Sequence, residues 1–339
     1  MRVPKTNRPP RISDVARLAG VSVATVSRVL SNPEIVAETT RKIVERAVQE
    51  TGYTVNMTAR NLRQQHTGVV LALVPNLANP FFSEILSGIS QVLRRDALSL
   101  FIVDTWNYPG LTLAPFLNHS RSDGVIVLDG QLDPALFAHP NCPPIVQACE
   151  ENAALSTHKV ITDNKAGSRQ AILHLSRLNH RRILHLTGPV QNSLTIARRQ
   201  GFEAGLMQAG IGPDEWLEPV RGDFSVAKGD QTAQDILAMT TPPTAVFCDC
   251  DEMALGLMGG LKRAGLDVPR DISVVGFDNI ELSRYCVPRL TSVRQYRSRI
   301  GSYAAELLLD ERRQYASQPR THILPTELVV RESTATAKA

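Results

Sequence analysis

Apolar residues between positions 12 and 53 recur at the spacing of short amphipathic helices. The pattern predicts three helices, each of which buries one face. Their apolar positions are Ile12, Val15, Ala16 and Ala19 in the first helix, Val26, Val29 and Leu30 in the second, and Ile43, Val44, Ala47 and Val48 in the third. Gly20 permits a sharp turn after the first helix, Ser22 can cap the second, and Gly52 ends the third. This segment is therefore predicted to fold as a small helical bundle.

From Gly68 onward, short β-rich runs alternate with helical stretches. The predicted strands are Val69–Val74, Ser99–Val103, Gly124–Leu128, Val160–Thr162, Ile183–Thr187, Ala245–Cys248, Ser273–Gly276 and Glu327–Val330. The predicted helices are Phe82–Arg95, Gly167–Leu178, Ile196–Ala209, Ala227–Met239 and Glu252–Arg263. This alternation indicates an α/β fold of βαβ units with mainly parallel sheets. Because so long a segment exceeds what one sheet usually takes, we expect two α/β lobes.

The composition excludes several classes of protein. The chain of 339 residues is 43% hydrophobic, which suffices for a sizeable buried core, and its five cysteines are too few for a disulfide framework. Its apolar runs are shorter than a membrane helix requires, and its basic, proline-rich start does not lead into the apolar segment of a secretory signal. We therefore expect a cytoplasmic protein with no membrane partner. Membrane-spanning, collagen-like and small disulfide-stapled proteins are excluded.

The positive charge of the chain is concentrated at one end. Residues 1–65 contain 11 Lys and Arg against 5 Asp and Glu, and the remaining chain contains 26 against 28, while the net charge of the whole is only +4. A basic module on a near-neutral body favours a polyanionic partner, nucleic acid above all. Charge alone is equally compatible with a solvated surface that happens to be basic.

The turn between the first two predicted helices has the pattern of a helix-turn-helix motif. Small residues at Ala16 and Ala19 allow the helices to approach at a steep angle, and Gly20 makes the turn. The second helix of such a motif enters the major groove of DNA with its N-terminal residues at the base edges. The predicted DNA contacts are Val23, Ala24, Ser27 and Arg28, with Arg28 as the reader of guanine, and the hydroxyls of Ser22, Thr25 and Thr40 for phosphates. Taken alone, the segment is also compatible with a plain three-helix bundle.

Motifs along most of the chain resemble the LacI/GalR family of bacterial transcriptional regulators. The headpiece motif extends from Ile12 to Leu30. The other motifs are Gly52-Tyr53-x-x-Asn56, Asp163-Asn164, Leu178-x-His180-Arg181-Arg182-Ile183, Asp251-x-Met253-Ala254-Leu255-Gly256, Asp271–Asp278, Leu290–Val293 and Leu324–Arg331. They follow one another in the order of the family over residues 12–333. The resemblance implies a three-helix DNA-binding headpiece, a hinge helix, and a two-lobed, periplasmic-binding-protein-like core with parallel sheets.

The resemblance also implies the domain organisation and the partners. We expect a basic arm at residues 1–11, the helix-turn-helix domain at 12–54, the hinge helix and linker at 55–67, the ligand-binding and dimerisation core at 68–331, and a flexible tail at 332–339. The protein is expected to bind a pseudo-palindromic operator in double-stranded DNA as a homodimer, most often as a repressor in this family. A small molecule in the core cleft would control that affinity.

By the same resemblance, the hinge contacts the minor groove of the operator. The matching residues are Asn56, Ala59 and Leu62, and Leu62 would be the wedge between two base steps. The segment Val55–Arg63 has nine residues, which are too few for a stable isolated helix, so that folding of the hinge can be coupled to DNA binding. Without the resemblance, the segment would be interpreted as a mere linker.

Polar and aromatic residues follow several predicted strands, at the edge where an open α/β fold binds its ligands. The resemblance places effector contacts at Phe82, Asp163, Arg198 and Asp278, with Phe81 beside them, and Cys250 replaces a frequent Asn or Ser next to the pocket. Such a set suits a sugar or a sugar derivative, because hydroxyl groups both donate and accept hydrogen bonds. Arg297, where the family often has an aromatic or small residue, would also permit an acidic ligand. For an isolated Asp after a strand, a helix cap is the alternative.

Enzymatic motifs are not evident in the sequence. The chain has no glycine-rich phosphate loop, no Gly-x-Ser-x-Gly elbow and no His-Glu-x-x-His. The pair Cys248 and Cys250 lacks the nearby His or further Cys that a metal site would need. We therefore expect no catalytic residue, no metal and no cofactor. The alternative function is a cytoplasmic sugar-binding receptor without DNA regulation, against which the basic headpiece argues.

Overall fold

The computed structural model describes residues 8–54, 66–106, 112–312 and 318–338. The chain divides into two compact units, Met1–Thr67 and Gly68–Ala339. The predicted hinge contacts Asn56, Ala59 and Leu62 lie outside the described residues. Within the described ranges, no helix combines the length and the apolar character that a membrane crossing demands.

The first unit contains the predicted three-helix bundle. Its helices are α1 (Ile12–Ala19), α2 (Val23–Ser31) and α3 (Glu38–Thr51). The Ser22 hydroxyl caps α2 by accepting a hydrogen bond from the backbone N–H of Thr25 at 3.1 Å. Gly20 and Gly52 end α1 and α3 in the left-handed region, both at a φ of 66°. The three apolar faces meet in a core formed by Val15, Ala16, Val26, Val29, Val44 and Ala47.

The second unit consists of two α/β lobes. Its elements, numbered onward in chain order, are β1 (Val69–Val74), α4 (Phe81–Arg95), β2 (Ser99–Asp104), β3 (Gly124–Val127), β4 (Ile145–Ala148), β5 (His158–Thr162), α5 (Asn164–Arg177), β6 (Ile183–Thr187), α6 (Ser193–Gln208), β7 (Val220–Arg221), α7 (Val226–Leu237), β8 (Ala245–Cys248), α8 (Asp251–Arg263), β9 (Ser273–Asp278), β10 (Thr291–Arg294), α9 (Arg297–Arg312), β11 (Thr321–Leu324) and β12 (Glu327–Val329).

Lobe 1 is built on a six-stranded parallel sheet with the strand order β11-β5-β4-β3-β1-β2. Alternate residues of the central strand β1 point to opposite faces of this sheet. Ala72 and Val74 pack in the same core cluster as the buried residues of α4 and α9, whereas Leu71 and Leu73 belong to the cluster on the other face. The register places Leu73 opposite Val127 of β3.

Lobe 2 has a second six-stranded sheet with the order β12-β10-β9-β8-β6-β7. Its strands are parallel except for β12, which pairs antiparallel with β10. Val246 and Cys248 of β8 pack with residues of α7 and α8. Ala245 and Phe247 of the same strand pack with residues of α5 and α6 on the opposite face. Both faces of the sheet are therefore covered, as is typical of parallel sheets.

Three chain crossings join the lobes, between β5 and α5, between β10 and α9, and between β11 and β12. As a consequence, α9 and β11 complete lobe 1 although they follow strands of lobe 2 in sequence. The predicted fold class, a helical headpiece with an α/β core of parallel sheets, is confirmed. The predicted elements omit α9 and the strands β4, β7, β10 and β11.

The prediction of a flexible tail at residues 332–339 is wrong for the part that the structure describes. Ser333 is fully buried, and its hydroxyl accepts the N–H of Thr291 at 2.8 Å and donates to the carbonyl of Val274 at 2.5 Å. Two residues on, the N–H of Ala335 donates to the Ser273 hydroxyl at 3.1 Å. The small polar residues of this segment suggested fraying, but they satisfy main-chain groups at the start of β9 and β10.

Candidate functional site

Most of the residues that were predicted to contact the major groove and its phosphates lie at the start of α2 and along this helix, and Thr40 lies in α3. Ser22, Val23, Ala24 and Arg28 are exposed, while Thr25, Ser27 and Thr40 are half-buried. The Ser22 and Thr25 hydroxyl oxygens lie 2.8 Å apart, so that the cap also fixes the second hydroxyl at the start of the helix. Val26 and Val29 point the other way into the bundle core. The start of α2 is thus free to enter a groove.

Arg28 differs from the other basic residues of the three helices. Ion pairs bind Arg17 to Asp14, Arg41 to Glu45, Lys42 to Glu38 and Arg46 to Glu50. Among the residues that the structure describes, none forms an ion pair with Arg28. Its guanidinium is consequently available for an external acceptor such as guanine or phosphate.

A cavity of about 240 Å³ lies between the two lobes of the second unit. The residues that line it follow the carboxyl ends of strands in both sheets, as expected for an α/β fold. Five of the predicted effector contacts line this cavity, namely Phe81, Phe82, Arg198, Cys250 and Asp278. Further lining residues that the sequence did not indicate are Asn76, Trp106, Glu150, Asp223, Phe224 and Glu252.

Asp163, the sixth predicted effector contact, does not line the cavity. Its carboxylate accepts the N–H of Ala166 at 2.9 Å and caps the start of α5. The physical reason is its position in the chain. Asp163 lies between β5 of lobe 1 and α5 of lobe 2, at the first chain crossing, where the free N–H groups of a new helix require an acceptor.

Arg198 occupies the floor of the cavity and is only 1% exposed. Its guanidinium stacks on the ring of Phe277 at 3.9 Å. Its Nε donates to the Asn164 side chain at 2.9 Å, one Nη donates to the main-chain carbonyl of Asp249, and the other faces Asp278 Oδ1 at 3.5 Å. All three nitrogens are therefore engaged by lobe 2 itself, which makes this arginine a structural residue as well as a candidate ligand contact.

Asp278 ends β9 with an unusual backbone conformation. Its φ is 108° and that of Asn279 is 53°, both in the left-handed region that favours glycine. Such residues cost about 1–3 kcal/mol each and persist where the surroundings enforce them. Here the Ser292 hydroxyl accepts the Asn279 N–H at 2.9 Å, and the buried Asp251 carboxylate accepts the Ile280 N–H at 2.8 Å. This turn aims the Asp278 carboxyl into the cavity, where Gln295 also donates to it at 2.6 Å.

The cavity contains more buried acids than buried bases. Burial raises the pKa of Glu150 to about 7 and also raises the pKa of Glu252. Burial likewise raises the pKa of Asp278, against the opposing influence of the Arg198 guanidinium. Among the described lining residues, three buried carboxyl groups and the exposed carboxyl of Asp223 thus share the cavity with one guanidinium, that of Arg198.

Arg297, whose positive charge suggested an acidic ligand, is bound by protein groups of both lobes. It is buried, and its guanidinium donates to the carbonyls of Phe81 and Asn279, both at 3.3 Å, and to Glu84 at 2.9 Å. These contacts join the start of α4 in lobe 1 to the end of β9 in lobe 2. Arg297 is not among the residues that line the cavity, and so it offers no support for an acidic ligand. Within the described residues, no cluster of His, Cys, Asp and Glu could hold a metal ion.

The comparisons with known proteins agree with both units. The family model of bacterial regulatory proteins of the lacI family matches residues 11–56, and that of a periplasmic binding protein-like domain matches residues 172–334. The transcriptional repressor CytR of Escherichia coli (strain K12) is 36% identical over 338 residues, which cover 98% of this chain and 99% of CytR.

Solved structures are similar along the whole chain as well. The lac repressor dimer bound to operator and the anti-inducer ONPF has a TM-score of 0.85 at 29% identity, covering 97% of this chain and 100% of that chain. The complex of the transcriptional regulator CelR with cellobiose has a TM-score of 0.72 at 30% identity, covering 96% and 99%. With a helix-turn-helix headpiece, a two-lobed core and a repressor relative along almost its full length, the chain belongs to the LacI family of bacterial transcriptional regulators.

Proposed function

We propose that this protein represses transcription by binding a pseudo-palindromic operator as a homodimer, under the control of a small molecule in the cleft. The observation that carries the proposal is the combination, in one chain, of an exposed α2, whose Arg28 has no ion-pair partner among the described residues, with a cavity between the two lobes of the second unit. The lac repressor, a dimer on its operator, supports the assembly. The domain bounds of 12–54 for DNA binding and 55–67 for the hinge belong to this proposal.

The proposal is tested by selecting DNA from a random pool with the full-length protein. We expect enrichment of an inverted repeat with one half-site for each headpiece. A thermal-shift screen of sugars, polyols and sugar acids would then identify the effector, because a ligand at about 100 times its Kd stabilises a protein by about 2.7 kcal/mol. The effector should change the affinity for the selected repeat. A pool without any enriched sequence would favour the alternative function, a sugar receptor without DNA regulation.

The effector that we propose is a polyhydroxylated molecule of sugar-like size. Phe81 and Phe82, whose rings pack edge to face at 5.1 Å, supply an apolar wall for a ring, and the buried carboxyls supply acceptors for hydroxyl groups. CelR, which binds cellobiose in its solved complex, supports the ligand class. We further propose that the protein acts in the cytoplasm, where operator DNA is accessible, and that the cleft senses its ligand without converting it.

Replacing Arg28 by Ala is expected to weaken binding to the selected operator by about 1–3 kcal/mol and to relax one base position, because a bidentate contact to guanine is lost. Fluorescence anisotropy on the operator and its single-base variants measures both effects. Arg46→Ala is the matched control, since it removes one positive charge from α3, where Arg46 bonds to Glu50. If Arg28→Ala weakens all base variants alike, Arg28 contacts phosphate only.

Replacing Leu62 by Ala is expected to reduce the bend of the operator and its affinity, because the wedge between the central base steps is shortened. Ligand binding and dimerisation should stay unchanged. A circular-permutation gel assay measures the bend, and Leu62→Met, which keeps a long apolar side chain, is the control. An unchanged bend with Leu62→Ala would remove the hinge wedge from the proposed mechanism.

A further inference from the structure

Glu252 is the acid of the cavity wall whose carboxyl oxygens have no hydrogen-bond partner of good geometry among the described residues. It is the second residue of α8, directly after β8, and it is only 5% exposed. Neither of its carboxylate oxygens has a partner of good hydrogen-bond geometry among the described residues, and the uncharged donors that lower its pKa are its own backbone N–H and the thiol of Cys250, a weak donor. The same side chain lines the cavity between the lobes. Two buried acceptor atoms therefore lie at the wall of the cavity, where a bound molecule could supply a partner.

The other buried charged groups of the cavity already have hydrogen-bond partners. Glu150 accepts the N–H of Gly130 at 3.2 Å, and Asp278 accepts from Gln295. The guanidinium of Arg198 is bound by Asn164 and by the carbonyl of Asp249. Because Arg198 is the cation among the described lining residues and already has partners, the charged groups that remain for a ligand are carboxylates, which are acceptors.

An unpartnered buried carboxyl is unfavourable for the fold. Leaving a buried charge without hydrogen bonds destabilises a protein, and the raised pKa of Glu252 reflects that burial. Arg198 and Arg297 lie close enough to attract the Glu252 carboxylate, but neither forms an ion pair with it. Groups that reduce stability in this way are typical of binding sites, where the ligand supplies the missing partner.

We propose that Glu252 determines the specificity of the cleft: it accepts hydrogen bonds from hydroxyl or N–H groups of an uncharged or cationic effector, and the cavity rejects anions such as sugar acids and sugar phosphates. This inference rests on the proposed function in that the cleft is the effector site. It narrows the ligand class, because a negative group would meet three buried carboxyls, the exposed carboxyl of Asp223, and a guanidinium that already has partners. The aromatic side chains Phe81, Phe82 and Trp106 on the lobe 1 side suit the face of a ring in such a molecule.

The first part of the test needs no ligand. Full-length Glu252→Gln is compared with wild type and with Glu281→Gln, an exposed acid of the same lobe, by thermal unfolding at pH 8. Gln keeps the shape and removes the buried charge, so that the melting temperature of the core should rise by about 2 °C or more, while Glu281→Gln leaves it unchanged. A melting temperature of Glu252→Gln that equals or falls below that of wild type would overturn the inference, whatever the cleft binds.

The second part uses matched probes on the same proteins: glucose, ribose, glucosamine, gluconate, glucose 6-phosphate and ribose 5-phosphate. We expect stabilisation of wild type by uncharged or cationic members only, with an affinity that Glu252→Gln lowers about tenfold or more. An anion that binds wild type as tightly as its uncharged parent contradicts the inference, and so does an unchanged affinity in Glu252→Gln. If none of the six probes binds, the proposal of a sugar-like effector is contradicted. The comparison of melting temperatures without ligand still tests whether the buried Glu252 carboxyl destabilises the core.

Discussion

Arg198→Met should destabilise the core by about 3–5 kcal/mol, because removing one partner leaves buried polar groups of lobe 2 unpaired. The variant takes a donor from Asn164, from the Asp249 carbonyl and from Asp278, and it removes the guanidinium that stacks on Phe277. Urea denaturation followed by tryptophan fluorescence measures the loss. Effector binding should disappear together with stability rather than independently of it.

Arg199→Met is the matched control for this experiment, since the next residue of α6 is an exposed arginine that pairs with Glu203. Its effect should stay below about 1 kcal/mol, as for other surface ion pairs. The double variant Arg198→Met with Asp278→Asn should recover part of the loss, because neither buried charge then remains. An Arg198→Met variant that is as stable as wild type and has lost its ligand would instead identify Arg198 as a pure ligand contact.

The headpiece could be predicted from sequence because its determinants are local. The period of the apolar residues, the Ser22 cap and the glycines at positions 20 and 52 act within a few residues of each helix, and the observed helices begin and end there. The strands of the core with long apolar runs, such as Val69–Val74, were predicted for the same reason.

The missed elements depend on distant contacts. Helix α9 begins with Arg297, and its apolar positions pack on lobe 1, whose other helix lies some two hundred residues earlier. Strand β11 has four residues, and it is a strand because it pairs with β5, where Thr321 lies opposite Lys159. Neither short length nor mixed polarity distinguishes such segments from loops before the partner strand or helix is known.

In the candidate site, too, the residues with local sequence signals were predicted, and those that depend on distant contacts were missed. Phe81, Arg198 and Asp278 were predicted because they follow strands whose ends can be located in sequence, and because the family resemblance places effector contacts there. Glu150 was missed because it follows the short strand β4, which was itself missed. The burial of Glu252 could not be inferred, since acids in the first turn of a helix are usually solvated and favour the helix dipole.

Asp278→Asn is expected to weaken the effector about tenfold or more and to leave the folded core intact. Asn is close in shape to Asp, can still accept from Gln295 at the same oxygen, and tolerates the positive φ of this position. The substitution has two opposite effects on the stability of the core. It removes the charged partner of the Arg198 guanidinium, which destabilises the core, and it removes a buried carboxyl whose pKa is raised to about 7 by burial, which stabilises it. We therefore expect a small net change in stability, in contrast to Arg198→Met.

The pH dependence of binding separates a ligand contact from a purely structural residue. In wild type, the Asp278 and Glu150 carboxyls both have pKa values raised to about 7, and so both lose their charge as the pH falls through neutrality. An effector that donates hydrogen bonds to these carboxylates should then bind more weakly at pH 6 than at pH 8. Asp278→Asn should reduce this dependence and retain the part that Glu150 and Glu252, whose pKa burial also raises, contribute, as isothermal titration calorimetry at the two pH values would show.

The Asp278→Asn variant also shows whether the effector is an inducer or a corepressor. Asp278→Asn remains in its ligand-free state at effector concentrations that saturate wild type, while the headpiece, a separate unit, keeps its operator affinity. A variant that represses permanently identifies the effector as an inducer, and one that fails to repress identifies it as a corepressor. Wild-type affinity for the effector in Asp278→Asn, with an unchanged pH profile, would mean that the effector does not contact Asp278.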